Sequence, residues 1–199
     1  MVHSSRHVAH RLLRAMVIIV SVLGGCACGS SADAAVTPPA QASPAPAVAA
    51  PSVDVGQLVI QAGDIPLSGF SRQSLQPVTE GPVTGVVAVF GTADGTRLLG
   101  ETIVLLPDAA AARTALQGVV STTESQRPGS TTATVPVGDR GVIITGYRVD
   151  GTASTMLLLS QGAASVAMDF RSPEADPVPA DVVTAVGVKQ AELLKAKLG

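Results

Sequence analysis

The sequence predicts an α+β domain: a mostly antiparallel sheet of about five to six strands with helices packed on it, in the order α-β-β-α-β-β-β-α. Three observations predict it. Apolar and β-branched runs at 83–90, 98–106, 141–148, 154–160 and 163–170 are parted by short glycine- or aspartate-bearing turns, the pattern of hairpins. Two longer segments, from Pro107 to about Thr122 and from Pro179 to Leu198, repeat apolar residues at helical spacing. Cys26 and Cys28 are the only cysteines and precede all of these runs, so no disulfide holds the core together. A domain of about 145 residues buries roughly two thirds of its unfolded surface and does not need one.

The elements follow in order. Residues 55–62 form a short helical candidate that breaks at Gly63-Asp64-Ile65-Pro66, before a loop carrying Phe70, and Gly81-Pro82 marks the next boundary. Strands at 83–90 and 98–106 make a hairpin across Gly91-Thr92-Ala93-Asp94-Gly95. Pro107-Asp108 opens a helix in which Ala109, Ala112, Leu116 and Val120 share a face. Residues 126–132 are polar and read as a loop, followed by strands at 135–137, 141–148, 154–160 and 163–170. Asp150-Gly151 and Gln161-Gly162 supply turns between the last three. Met156-Leu157-Leu158-Leu159 is apolar without alternation, which predicts a central strand covered on both faces. Val166, Met168 and Phe170 alternate with Ala167, Asp169 and Arg171, which predicts a half-exposed one. The terminal helix turns Val183, Val186, Leu194 and Leu198 inward and carries Lys195 and Lys197 at the negative end of its dipole.

Ahead of the domain lie two appendages. Arg6, Arg11 and Arg14 form a positive opening, and the apolar run at 15–23 is about half the roughly 20 residues that a spanning helix needs. The segment is therefore a cleaved export signal over 1–25. Leu23-Gly24-Gly25-Cys26 resembles the lipobox of bacterial lipoproteins, in which the cysteine thiol takes a diacylglycerol and small residues before it enter the signal peptidase. The resemblance makes Cys26 the lipidated residue and places the protein on the extracytoplasmic face of the cell membrane. Cys28 fits less well, because Gly25 would occupy its apolar position. Residues 26–52 are rich in Ala, Pro and Ser, with Asp33 as their single charge, and read as a disordered tether whose stretch from Gly29 to Ser52 reaches at most about 75 Å. Residues 53–199 form the single domain. Its element order is similar to that of small α+β domains of actinobacterial, mycobacterial-type envelope lipoproteins, some of them of the Mog1/PsbP fold. That similarity rests on the short helix before Asp64-Ile65-Pro66, the helix after Leu105-Leu106-Pro107, the Val137-Gly138-Asp139 turn and the terminal helix. It implies a binding or scaffolding role.

Composition narrows the function. His3, His7 and His10 all precede the cleavage point, so the mature chain lacks the commonest general base and metal ligand. Three of the 13 basic residues leave with the signal, and ten then face 15 acids. With no Trp, one Tyr and no basic stripe, nucleic acid is a poor partner. No nucleophile elbow, phosphate loop, EF-hand or C-x-x-C spacing occurs. We therefore expect no catalytic residue, no cofactor and no metal.

Three partial signals each have a plainer reading. The segment Gly91 to Arg97 lacks the Lys-Ser/Thr ending of a phosphate cradle and reads as a hairpin turn. Asp139-Arg140 is either a recognition turn or, preferably, a strand-entry turn with solvated charges. Glu174, Asp176 and Asp181 offer oxygen ligands of the kind calcium takes, but Asp181 at the helix start is better read as favouring the dipole. The leading expectation is a non-enzymatic envelope module that binds a partner protein or wall component. The alternative is a lipid or glycolipid carrier with an apolar cavity lined by the Met156 to Met168 stretch, for which a packed core is the plainer reading.

Overall fold

The computed structural model describes residues 53–80, 83–148 and 150–199; the predicted signal, Cys26 and the tether lie outside the described residues. Seven antiparallel strands form one sheet: β1 (Phe70–Glu80), β2 (Val83–Thr92), β3 (Leu98–Leu105), β4 (Thr131–Val135), β5 (Arg140–Tyr147), β6 (Thr152–Gln161) and β7 (Ala164–Pro173). Their spatial order is β1-β2-β3-β7-β6-β5-β4. The chain builds β1 to β3 as a meander. It then crosses one face through helix α1 (Ala109–Gln126) to the far edge and meanders back until β7 pairs with β3 at the centre. Helix α2 (Ala180–Leu198) closes the opposite face.

Alternation along β6 explains the two faces. Leu157 and Leu159 join a large apolar cluster with Phe90, Ile103, Met168 and Phe170 and with Val183, Val186 and Leu194 of α2. Their neighbours Met156 and Leu158 point the other way, into a smaller cluster with Val142, Ile144 and Leu116, Val119 and Val120 of α1. The non-alternating Met156-Leu157-Leu158-Leu159 run is thus a central strand covered on both faces, as its composition predicts. Helix α2 lies on β6 at Gly187, where an added Cβ would stand 2.2 Å from Leu157 Cδ2 and 3.1 Å from Val137 Cγ1. Any larger residue there would have to displace the buried Leu157 side chain. Helix α1 starts where predicted, with the Asp108 carboxylate accepting the Ala111 N–H at 2.8 Å. In α2, Asp181 sits in the first turn and Lys195 and Lys197 in the last, complementing the dipole.

Four expectations are corrected. The sheet has seven strands rather than five or six, and the order of its elements is β-β-β-α-β-β-β-β-α. The added strand, β1, occupies what reads as a loop around Phe70. It is an edge strand, largely exposed, with Pro77 in its middle and an irregularity between Arg72 and Ser74, so no apolar alternation announces it. At the other edge β4 takes in Thr131 and Thr132 from the polar loop, because an exposed strand needs no apolar face. The helix expected at 55–62 is two 3-10 turns, Val55–Leu58 and Ala62–Asp64, joined by extended backbone. Gly56, Val59, Ile60 and Gly63 are poor helix formers, and Asp54 caps the first turn locally by accepting the Gly56 N–H at 3.0 Å. Finally, β7 is covered on both faces, since α1 lies over the side of Ala167 and Asp169.

Candidate functional site

At one end of the α1 face, three arginines from three elements converge on a single buried carboxylate. Arg127 is the C-cap of α1, Arg148 follows β5, and Asp169 and Arg171 are alternate residues of β7. On the adjoining strand β6, Ser154 pairs with Arg171 and Met156 with Asp169, which sets Ser154, Asp169 and Arg171 on one face. The antiparallel register does the rest, since it brings the end of β5, the start of β6 and the end of β7 together.

Asp169 is only 3% exposed. The Ser154 hydroxyl donates to its Oδ1 at 2.6 Å, and Arg171 Nε donates to its Oδ2 at 2.8 Å. Arg127 Nη1 donates to Ser154 Oγ at 2.8 Å, and its Nη2 stands 3.9 Å from Asp169 Oδ1. Arg148 Nη1 is 3.6 Å from Asp169 Oδ2, and its buried Nε makes no hydrogen bond among the described residues. At the rim the largely exposed Asp150 lies 3.9 Å from Arg148 Nε. Its carboxyl is held below the usual range chiefly by the hydroxyl and backbone N–H of Thr152, with smaller help from Arg148 and Arg171.

Charges here do not balance. Among the described residues three guanidiniums surround one buried carboxylate, and counting Asp150 still leaves one cation in excess. Burial lowers the Arg127 guanidinium from its usual range; Asp169 opposes this, and Arg148 and Arg171 add to it. Gathering half-buried cations without matching acids is unfavourable, so the cluster is poorly suited to stability alone. Its one hydroxyl donates to a carboxylate already gripped by arginine, which leaves no free base to activate it. The arrangement can hold an anion.

The residues singled out from sequence lie elsewhere. The Asp139 carboxylate accepts the Gly162 N–H at 2.8 Å and its own N–H bonds to Ser160 O, clamping one turn to another, while Arg140 is exposed. Gly138 enters that turn with φ +64°, and an added Cβ would meet Ser160 O at 2.5 Å. The segment Gly91 to Arg97 is the β2–β3 turn, closed by Thr92 N–H to Arg97 O at 3.1 Å. Asp176 pairs with Arg97 rather than with Glu174 or Asp181, and among the described residues no three His, Cys, Asp or Glu side chains gather to hold a metal. The Met156 to Met168 stretch packs against both helices, tightly at Gly187. Cys26 lies outside the described residues. Among these residues no helix is long and apolar enough to cross a membrane.

A second buried acid sits on the opposite face. Glu101 stands between Leu99 and Ile103 on β3, fully buried, and neither carboxyl oxygen has a hydrogen-bond partner among the described residues. Burial pushes its carboxyl up to about 8, weakly opposed by the Ile60 amide. Gln190 of α2, equally buried, donates to Leu58 O at 2.8 Å and leaves its Oε1 without a partner among the described residues.

Neither centre was visible as a motif, because Arg127, Arg148 and Arg171 are scattered along the chain. The available signal was a charge inside an apolar strand, Asp169 in β7 and Glu101 in β3. No protein-family model and no curated protein matches the chain. Among solved structures it is similar to the extracellular domain of PknH from Mycobacterium tuberculosis, at 10% identity and a TM-score of 0.52, over 71% of this chain and 95% of that one. At this identity the likeness is one of fold, and the chain shares its architecture with a mycobacterial extracellular domain.

Proposed function

We propose that the protein is a lipid-anchored, extracytoplasmic binding module without catalytic activity, held at the cell membrane through Cys26. The observation that carries the binding role is the Asp169 centre, where among the described residues three arginines exceed the acids that face them and no activated nucleophile accompanies them. The anchor rests on Leu23-Gly24-Gly25-Cys26 and the positive, apolar segment before it. The fold shared with an extracellular domain supports placement outside the membrane. A diacylglycerol with a further acyl chain, each buried methylene contributing about 0.8 kcal/mol, holds such a protein on the bilayer durably. The tether would let the domain meet a wall component, an envelope protein or a lipid headgroup.

The test is fractionation of an actinobacterial host expressing the full chain or its Cys26→Ala form. The unaltered chain is expected in the membrane fraction, lipid-modified and digestible by protease added to intact spheroplasts, with Cys26→Ala in the soluble exported fraction. A Cys26→Ala chain that still carries lipid, or a domain shielded from external protease, would overturn this reading.

A further inference from the structure

We propose that the Asp169 centre is a binding site for a phosphoryl group, a phosphate mono- or diester, gripped by Arg127, Arg148 and Arg171. The inference rests on the binding role above and names its ligand class.

Charge is the first argument. Three guanidiniums surround Asp169, with surplus charge of two over Asp169 alone and one when the rim residue Asp150 is counted. A phosphodiester carries one negative charge and a monoester up to two, which spans that surplus. Half-buried cations gathered this closely repel one another, so a network serving stability alone matches each of them to an acid.

Donor supply is the second. Asp169 takes one hydrogen bond from Arg171 Nε and one from Ser154, and Arg127 gives one to Ser154. The two Nη groups of Arg171, the Arg127 Nη2 and the whole Arg148 guanidinium make no other hydrogen bond among the described residues, and Arg148 Nε is buried as well. Asp169 therefore positions the guanidiniums without consuming them. Arg127 approaches from the end of α1, Arg148 from beyond β5 and Arg171 from β7. A planar carboxylate is satisfied by one guanidinium fork, whereas forks from three elements suit the several oxygens of a tetrahedral group.

Access is the third. Arg148 keeps 29% of its side chain exposed, against 17% for Arg127 and 18% for Arg171, so the centre opens at its Arg148 rim. Asp150 stands there within 3.9 Å of Arg148 Nε as the group an incoming anion displaces. Glu124, one turn before Arg127, is occupied by the Thr132 hydroxyl at 2.7 Å.

The test uses the purified full-length chain in its Cys26→Ala form, so that no acyl chain confuses vesicle binding. Inorganic phosphate and phenyl phosphate are titrated against benzoate at constant ionic strength and followed by thermal unfolding and calorimetry. Phenyl phosphate is expected to raise the unfolding temperature in proportion to occupancy, with benzoate at least about tenfold weaker. Arg148→Gln is expected to weaken phenyl phosphate by about tenfold or more, and Arg148→Lys, which keeps the charge but not the fork, by less. In the unsubstituted arginine background, phosphate should move the side-chain Nε–H resonances of Arg127, Arg148 and Arg171 and leave those of the exposed Arg72, Arg113 and Arg140. That readout needs no destabilised variant. Sedimentation with phosphatidylglycerol against phosphatidylcholine vesicles separates the sources: binding lost in Arg148→Gln assigns a lipid headgroup, and binding of phenyl phosphate alone assigns a soluble or polymer-borne phosphoryl group. No response to either phosphate, an equal response to benzoate, or one unchanged by Arg148→Gln would overturn the proposal. Failure here leaves the anchor intact, since fractionation of Cys26→Ala reads it separately.

Discussion

The two faces of the sheet handle a buried acid in opposite ways. On the α2 face Glu101 stands among Leu99, Ile103 and the large apolar cluster, without a hydrogen bond among the described residues, and burial keeps its proton on to about pH 8. On the α1 face Asp169 is as deeply buried but is surrounded by Ser154 and three arginines. One face excludes charge and the other concentrates it. A surplus of cations over a thin apolar layer is a receptive surface, whereas a neutralised acid inside a thick layer is a cost the fold absorbs.

The largest expected effect follows from removing the carboxylate. Asp169→Ala leaves three guanidiniums around an apolar methyl and should cost about 4 kcal/mol in urea unfolding. A cost below about 1 kcal/mol would mean that the arginines are solvated and the faces less different than drawn. Next come two adjacent leucines that face opposite ways. Leu157→Ala opens a cavity in the large cluster and should cost about 4 kcal/mol, and Leu158→Ala in the thinner layer about 3 kcal/mol, because a shallow layer collapses more readily. The reverse order would place the main core under α1.

Glu101 gives a smaller effect with a definite sign. The folded chain keeps the carboxyl proton to about pH 8, while the unfolded chain releases it near 4.5. Folding thus retains an extra proton between these values. Its stability is full below about pH 4.5, falls as pH rises through the window and is flat above pH 8. Glu101→Gln should flatten that slope and raise stability at pH 8 by about 2 kcal/mol, the buried amide itself lacking partners. An unchanged slope would show that another group titrates. Smallest is Asp139→Ala, which frees the Gly162 N–H and should cost about 1 kcal/mol without altering anion binding at the opposite end of β6. Linked loss of phenyl phosphate binding would show that the turn clamp and the arginine centre are coupled.

What was legible in the sequence follows burial. Strands β2, β3, β5, β6 and β7 and both helices stand within a few residues of their apolar patterns, because each buries a face and burial writes the pattern. The edge strands escaped for the same reason. β1 is polar and holds Pro77, and β4 is four threonines and alanines before Val135. Both keep to the sheet through backbone pairing, which side chains do not advertise. Asp169 read as the exposed phase of an alternating strand, since alternation cannot distinguish solvent from a salt-bridged interior. The arginines could not be grouped because only the register of β5, β6 and β7 brings them together.

The β3–β7 seam has a consequence in time. Every other strand pair joins neighbours in sequence, but this one must wait for α1, β4, β5 and β6 to be made and arranged. Closing it carries the loop entropy of the whole topology and makes late folding the expected course. Until β7 arrives, β3 offers bare backbone donors and acceptors beside Leu99 and Ile103, a template on which a second molecule can pair. The mature sheet shields its rims with Pro77 and a short polar strand, yet its centre has no such guard during assembly. A chain stopped short of residue 164 would therefore leave an adhesive edge rather than a smaller working domain.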